Sequence, residues 1–372
     1  MIFQKKSRQN NKYKFFLGNE PIDTVSEYTY LGMKITNNGS FRSGQEQLKD
    51  KSFLALSAIR KKFNISKLSL EVANKLFDST VLPILTYGAE IWGIYEKINF
   101  EFWDKNPIEK MHLRFCKAFL GVNRKASNVA CRAEMGRYPI KLLMDIRIYK
   151  FYERLKEMDD GSFAKQAFLI SNDLWQRGHH SLHNYVSNIN SFYGISETSN
   201  GTIHFSINKA LINIKEKYLD FWKGKVSNSR KLNFYKDIKV NYEGEHYLNN
   251  IKNCRLKQNL TKLRISNHNL MIEQGRYCTP YLEREFRFCP LCTDPVLEDE
   301  IHFMCDCEFY NTHRENLYAK IIKDFNTEIS SKSSKVIATT ILKLNNSLYF
   351  NDIALFVHNC MKIRSTVSSK LK

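Results

Sequence analysis

The chain is poor in the residues that interrupt regular structure. Its 372 residues include only 7 prolines and 15 glycines, fewer than average usage supplies, which argues against a collagen-like or turn-rich β architecture and for long helices. Long apolar runs are equally scarce. The most apolar stretch, residues 72–95, contains Lys75, Asp78, Pro83 and Glu90, so nothing supplies the ~18 uninterrupted apolar residues of a membrane span. The opening MIFQKKSRQNNKYK lacks the apolar core of a secretory leader. The strings G-x-x-x-x-G-K-S/T, G-x-G-x-x-G and G-x-S-x-G do not occur, which leaves nucleotide-hydrolase, dinucleotide and serine-hydrolase chemistry without support. Acidic residues are also in deficit: 38 Asp+Glu face 57 Lys+Arg, a net charge of +19.

What is present points to folded, helical, polyanion-facing domains. A content of 43% hydrophobic and 13% aromatic residues fills real cores and excludes wholesale disorder, and the length predicts two or three domains. The positive excess puts nucleic acid first among partners and an anionic membrane surface second. Nine cysteines, an odd number without a secretion signal, fit thiolate chemistry in a reducing compartment better than a disulfide framework. Five of the nine lie between Cys278 and Cys307.

Along the chain, residues 14–17 and 22–25 read as strands around the turn Gly18-Asn19-Glu20-Pro21, with a third strand at 28–35 (YTYLGMKI). So few strands make a poor independent domain. Helical spacing then takes over. Over 45–63 it places Leu48, Ala55, Ile59 and Phe63 on one face, and a helix over 69–82 breaks at Pro83. In 107–122, Ile108, Met111, Phe115, Ala118 and Phe119 form an apolar stripe beside Lys110, Arg114 and Lys117. In 140–157, Ile140, Leu143, Ile146 and Phe151 face inward, with Arg147, Lys150 and Arg154 outside. Residues 176–204, rich in Ser, Asn, Gly and His, read as a linker, with His179, His180 and His183 as exposed loop histidines. Helical pattern resumes at 207–223, 246–265, 316–325 and 350–364.

The segment FCPLCTDPVLEDEIHFMCDCEFY carries Cys289-x2-Cys292 and His302-x4-Cys307. A Cys-x-x-Cys turn lets two thiolates meet one tetrahedral ion, and a His and a Cys from the next segment complete the set, so a structural Zn2+ is expected. Cys307 is the expected fourth ligand and Cys305 the alternate; His313 lies six residues beyond Cys307, and Cys278 reaches only by folding back. Glu298, Asp299 and Glu300 read as a solvated connecting loop. Arg276, Arg284, Arg287 and Arg314 alternate with Tyr277, Tyr281, Phe286, Phe288, Phe303 and Tyr310, which combines phosphate neutralisation with stacking on unpaired bases. Phe288 and Phe303 fit equally a small core under the metal. Asp159-Asp160, before Gly161, reads as a helix-terminating turn and not as a two-metal site.

Taken in order, SEYTYLGMKI, LPILTYGAEIWG, MHLRFCKAFLGVNRKASNVACRAEMGRYPI, LTKLRISNHNLMIEQGRY and CPLC…EDEIHFMCDCEFYNTHR resemble the C-terminal part of the reverse transcriptase of non-LTR (LINE-type) retrotransposons. The resemblance implies a mainly α fold: a β remnant of the palm and primer grip (1–36), a helical thumb-like domain (37–160), a linker (161–205), a helical linker domain (206–275), a CCHC zinc knuckle (276–315) and C-terminal helices (316–372). It implies positioning of template RNA and primer during target-primed reverse transcription, with RNA and DNA as partners, in the nucleus or a cytoplasmic ribonucleoprotein. In the family the polymerase aspartates precede the point matched by MIFQKK, so this chain is expected to be non-catalytic, either working with the polymerase and endonuclease parts or acting as an autonomous binding protein derived from such an element. The expected metal ligands are Cys289, Cys292, His302 and Cys307. The expected nucleic-acid contacts are Arg276, Arg284, Arg287, Lys110, Arg114, Arg147 and Lys150.

Overall fold

The computed structural model describes residues 14–195, 203–325, 332–343 and 348–370. MIFQKK, within the expected β remnant, and residues 196–202 of the expected linker lie outside these. The fold is mainly α, as the scarcity of proline and glycine predicts, with a small β portion at the start. The chain divides into two compact units, each gathered from three stretches: residues 1–62, 76–112 and 139–218, and residues 63–75, 113–138 and 219–372.

Among the described residues, strand is confined to two antiparallel hairpins, Phe15–Leu17 with Glu20–Ile22 and Glu27–Tyr30 with Met33–Thr36. YTYLGMKI is therefore a hairpin and not the single strand its alternation suggested. Leu31 and Gly32 turn it, with φ of +46° and +82°, the left-handed pair that a two-residue hairpin turn requires. Phe15, Phe16, Leu17, Tyr28, Tyr30 and Leu31 are each more than half exposed, so these strands bring no core of their own.

The helix Leu70–Leu76 gives way to a wide turn at Phe77–Val81 before Leu82–Leu85 resumes, with Pro83 in its first turn. Proline cannot donate an N–H, and the backbone accommodates this by widening the turn ahead of it without ending the helix. Phe77 and Val81 are fully buried there. The helix Arg42–Lys62 buries Leu48, Ser52 and Leu56, whereas Ala55 and Ile59 are only half-buried and Phe63 is exposed, a correction to the expected face. Helix Ile140–Lys156 is likewise turned. It buries Ile140, Met144, Ile148 and Leu155 together with Lys141 and Asp145, while Leu143, Ile146 and Phe151 are half-buried. Lys141 donates to Asp145 and to the Tyr185 hydroxyl, and Tyr185 and Tyr193 both donate to Asp145. A buried charge pair is tolerable when its hydrogen bonds are satisfied, and an apolar-face rule cannot anticipate it.

The expected linker is helical over much of its length. Ser162 and Ser181 cap the helices Phe163–Gln176 and Leu182–Tyr193 by accepting from the N–H groups of Lys165 and Asn184. The second buries Tyr185, Val186, Ile189 and Tyr193. Serines read as loop formers are therefore N-caps. His183 is buried against Tyr152 and Phe168, contrary to its reading as an exposed loop histidine. Asp159 and Asp160 are exposed in a turn after the helix end, as expected.

In the second unit, Met135 pairs with Gly244 across an isolated antiparallel bridge. Gly136 has φ +64°, and a Cβ there would meet the Gly244 nitrogen at 2.4 Å. Backbone cannot yield as a side chain can, so Gly136→Ala should lower stability by at least ~1–3 kcal/mol, read as a fall in the urea midpoint. An unchanged midpoint would show that the two backbones separate without cost.

Candidate metal centre

The centre begins with a short ribbon. Phe288 bridges Leu297, Cys289 N–H donates to Val296 O (2.7 Å), and Glu298 N–H donates to Arg287 O (2.9 Å). The loop between holds the Cys-Pro-Leu-Cys turn, in which the backbone N–H groups of Leu291 and Cys292 point at the Cys289 sulfur. The other half is a wide turn at His302–Asp306, closed by Cys307 N–H donating to His302 O at 2.9 Å. A five-residue hydrogen-bond span is the π geometry, and here it accompanies the approach of His302 and Cys307, which are separated by that number of positions. Asp299 Oδ1 caps the turn by accepting from Ile301 and His302 N–H. Arg314 ties its far side, donating to Met304 O (3.1 Å) and Cys307 O (2.7 Å).

The result is the predicted quartet. Ligand atoms of Cys289, Cys292, His302 and Cys307 all lie within 4.8 Å of one another. Cys292 Sγ is 3.4 Å from His302 Nε2 and 3.8 Å from Cys307 Sγ. A tetrahedron with metal–sulfur bonds of ~2.3 Å and a metal–nitrogen bond of ~2.0 Å has edges of about 3.8 Å and about 3.5 Å, so the spacing fits a metal ion. Among the described residues His302 Nδ1 is buried without a partner, so the imidazole's polar contact is with the thiols. Electrostatics point the same way. Hydrogen bonding from Cys307, and then from His302, holds the Cys289 thiol down to about 3 against the opposing effect of burial. Cys307 is pushed far up by that same contact, and Cys292 is raised by burial and by the Cys289 thiolate. For His302, burial opposes charging, but the bond to Cys289 outweighs it and raises the imidazole. Crowding the three thiols thus favours ionising one of them at the others' expense, a mutual repulsion that a divalent cation would relieve.

Cys305 is elsewhere: its thiol donates to Ser334 O at 3.3 Å and receives Tyr318 OH at 3.6 Å. Cys278 is exposed and donates to Gln274 O, and neither it nor His313 belongs to the quartet. Cys305→Ser should therefore leave metal stoichiometry unchanged by atomic emission. Loss of the ion in that variant would reopen the ligand assignment.

The acidic trio is not a solvated loop. Glu298 is buried and takes a bidentate fork from Arg364 (2.6 and 2.8 Å). Glu300 accepts from Ser266 and is bonded to His268, and Asp299 is the cap just described. Burial converts three apparent surface charges into struts under the metal turn.

The basic residues separate by burial. Arg287 is 1% exposed, donating to Leu282 O, Ile272 O and Tyr281 OH, so its guanidinium is used internally and is withdrawn as a phosphate contact. Arg147 is paired with Glu90 (2.7 Å) and donates to Thr86, which corrects its reading as an outward phosphate ligand. Lys110, Arg114, Lys150 and Arg284 are exposed. Arg276 is half-buried, donating to Arg230 O and paired with Glu273. Arg276 and Arg284 line a cleft of about 180 Å³ with Arg230 and Lys335, two cations that local spacing did not single out. Among the aromatics, Phe303 and Tyr310 are buried against each other, so Tyr310 is core and not a stacking surface. Tyr277, Tyr281, Phe286 and Phe288 are all exposed by at least a third, and Phe288 leaves the expected mini-core. No family model, curated protein or solved structure matches the chain. No helix among the described residues is long and apolar enough to cross a membrane.

Proposed function

We propose that the chain binds single-stranded nucleic acid as the template-positioning C-terminal part of a non-LTR reverse transcriptase, with Zn2+ as its structural ion. The observation that carries this reading is one lobe holding a four-ligand metal quartet, a cleft in which Arg230, Arg276, Arg284 and Lys335 stand among Asp237, Glu273, Asp299 and Glu300, and exposed rings at Tyr277, Tyr281, Phe286 and Phe288. Three sulfurs and one imidazole nitrogen in a tetrahedral array favour zinc over the harder, oxygen-seeking cations. When bound, the ion cross-links the two halves of the lobe and holds the surface in place. Guanidinium groups neutralise phosphates, and exposed rings accept unstacked bases without sequence preference. In this reading the chain performs no chemistry itself. Its partners are RNA and DNA together with the polymerase and endonuclease parts of such an element, in the nucleus or a cytoplasmic ribonucleoprotein.

Fluorescence anisotropy with labelled single-stranded RNA tests this. Affinity should fall at least about tenfold between ~50 and ~200 mM salt, because counterions are released from the phosphates. Arg284→Ala should reduce the slope of log affinity against log salt by about 0.7, one phosphate's share on a single strand. A flat salt response, or no binding at low salt, refutes the reading.

A further inference from the structure

We propose that the first unit carries a second ligand site, a cleft between three helices that receives one unstacked nucleobase against Trp175. The cleft measures about 510 Å³, within the ~300–1,000 Å³ range of small-ligand sites. Its walls come from the helices Ile140–Lys156, Phe163–Gln176 and Leu182–Tyr193, and their aromatic side chains converge. Tyr152 and Phe168 pack on the His183 ring with centroids 5.1 and 4.4 Å away, and Trp175 lies nearly parallel to it, at 16° and 6.2 Å. Burial, and then Lys156, lower the His183 pKa, so the imidazole is neutral at neutral pH and presents an uncharged π face. Phe168 and His183 are buried, whereas Trp175, which lines the cleft, remains 41% exposed.

The polar side of the cleft selects among planar ligands. Asn190 lines it, and its Oδ1 is buried with no hydrogen-bond partner. An unsatisfied acceptor carries a desolvation cost, and the carboxamide torsion is soft, so rotation into the cleft would let it accept from a ligand N–H. The exocyclic amine of adenine or cytosine and the ring N–H of uracil or guanine supply that donor. Lys156, paired with Glu153 at 3.0 Å, also lines the cleft and offers a cation to an attached phosphate. A peptide could offer an N–H as well, but flat ring walls and a net charge of +19 favour a base. The source of that base rests on the nucleic-acid reading above, whereas the geometry of the cleft does not.

Tryptophan fluorescence of the full chain distinguishes the two. Of its 4 tryptophans, Trp92, Trp103 and Trp222 are 1%, 4% and 2% exposed, so contact quenching reports on Trp175. Oligoadenylate should quench saturably, and Trp175→Phe should remove the effect. Trp175→Ala, at a surface position, and Asn190→Leu, which deletes the unsatisfied acceptor, should each weaken oligoadenylate binding about tenfold by anisotropy while keeping the native circular dichroism. Binding by anisotropy with Trp175 unmoved and both variants at wild-type affinity overturns the cleft and leaves the nucleic-acid reading standing. If oligoadenylate does not bind at all, that reading falls, and adenosine monophosphate decides the cleft alone: saturable quenching supports it and none overturns it. Quenching by an apolar peptide but by neither nucleotide overturns it in favour of a protein ligand.

Discussion

Cys307→Ser should strip the metal and unfold the lobe spanning residues 276–315 while leaving the first unit folded. Metal binding to a structural quartet of this kind contributes about 10–16 kcal/mol of apparent folding free energy, comparable with the whole ~5–15 kcal/mol net stability of a domain. The struts from Glu298, Glu300 and Arg287 tie the lobe to its neighbours, but the metal turn itself has few bonds of its own. The ribbon is a single isolated bridge, and the turn at His302–Asp306 is held by Asp299, Arg314 and the packing of Phe303 on Tyr310 and Phe356. Atomic emission should fall from about one ion per chain to about none. Hydrogen exchange should lose protection across 276–315 and keep it in the helix Ile140–Lys156. Chelation should reproduce the pattern, and so should acid, because thiolate and imidazole ligands must be deprotonated to bind. Retention of the ion by Cys307→Ser, with Cys305→Ser losing it instead, would overturn the ligand set.

Spacing alone points to the cluster, with Cys305 as an alternate to Cys307, because a Cys-x-x-Cys turn and a His-x4-Cys turn are local geometry written in consecutive residues. Helix positions were legible for the same reason: periodicity and the shortage of Pro and Gly act within one element. Most of what failed is non-local. Arg364 reaches Glu298 across 66 positions, and nothing near either residue announces the other, so Glu298 was read as solvated. Arg287 and Arg147 have the spacing of surface cations, yet their partners are Leu282 O, Ile272 O and Glu90, supplied by packing. Lys141 and Asp145 show the same effect within one helix. Their i, i+4 spacing looks like an exposed pair until Tyr185 and Tyr193 close over it, which turns the buried face away from Leu143, Ile146 and Phe151. The helix at Leu182–Tyr193 was hidden by composition, since Ser181 is an N-cap only if a helix follows.

Arg364→Ala should destabilise the second unit by about 3–5 kcal/mol, the usual result of leaving one member of a buried ion pair without its partner. Both side chains are almost completely buried, and Glu298 also accepts from Met271 N–H, so its carboxylate cannot swing out to water without breaking backbone contacts. Arg364→Lys should rescue little, because a point charge cannot reproduce the bidentate fork. The loss should depend on pH in a defined direction. Burial raises the Glu298 carboxyl above its ordinary value, with the Arg364 bond and charge pulling the other way. A group whose folded pKa is raised favours folding below its unfolded pKa and loses that contribution as pH rises through the folded value. Removing Arg364 enlarges the shift, so the deficit against wild type should be greatest at neutral pH and shrink as acid protonates Glu298, read over the pH range in which both proteins keep their metal by atomic emission. Glu298→Gln placed in the Arg364→Ala background should recover part of the loss at neutral pH, since a neutral amide replaces the orphaned charge, and a double-mutant cycle on urea midpoints isolates that coupling. A deficit that grows on acidification would mean that Arg364 acts through packing and not through the Glu298 charge.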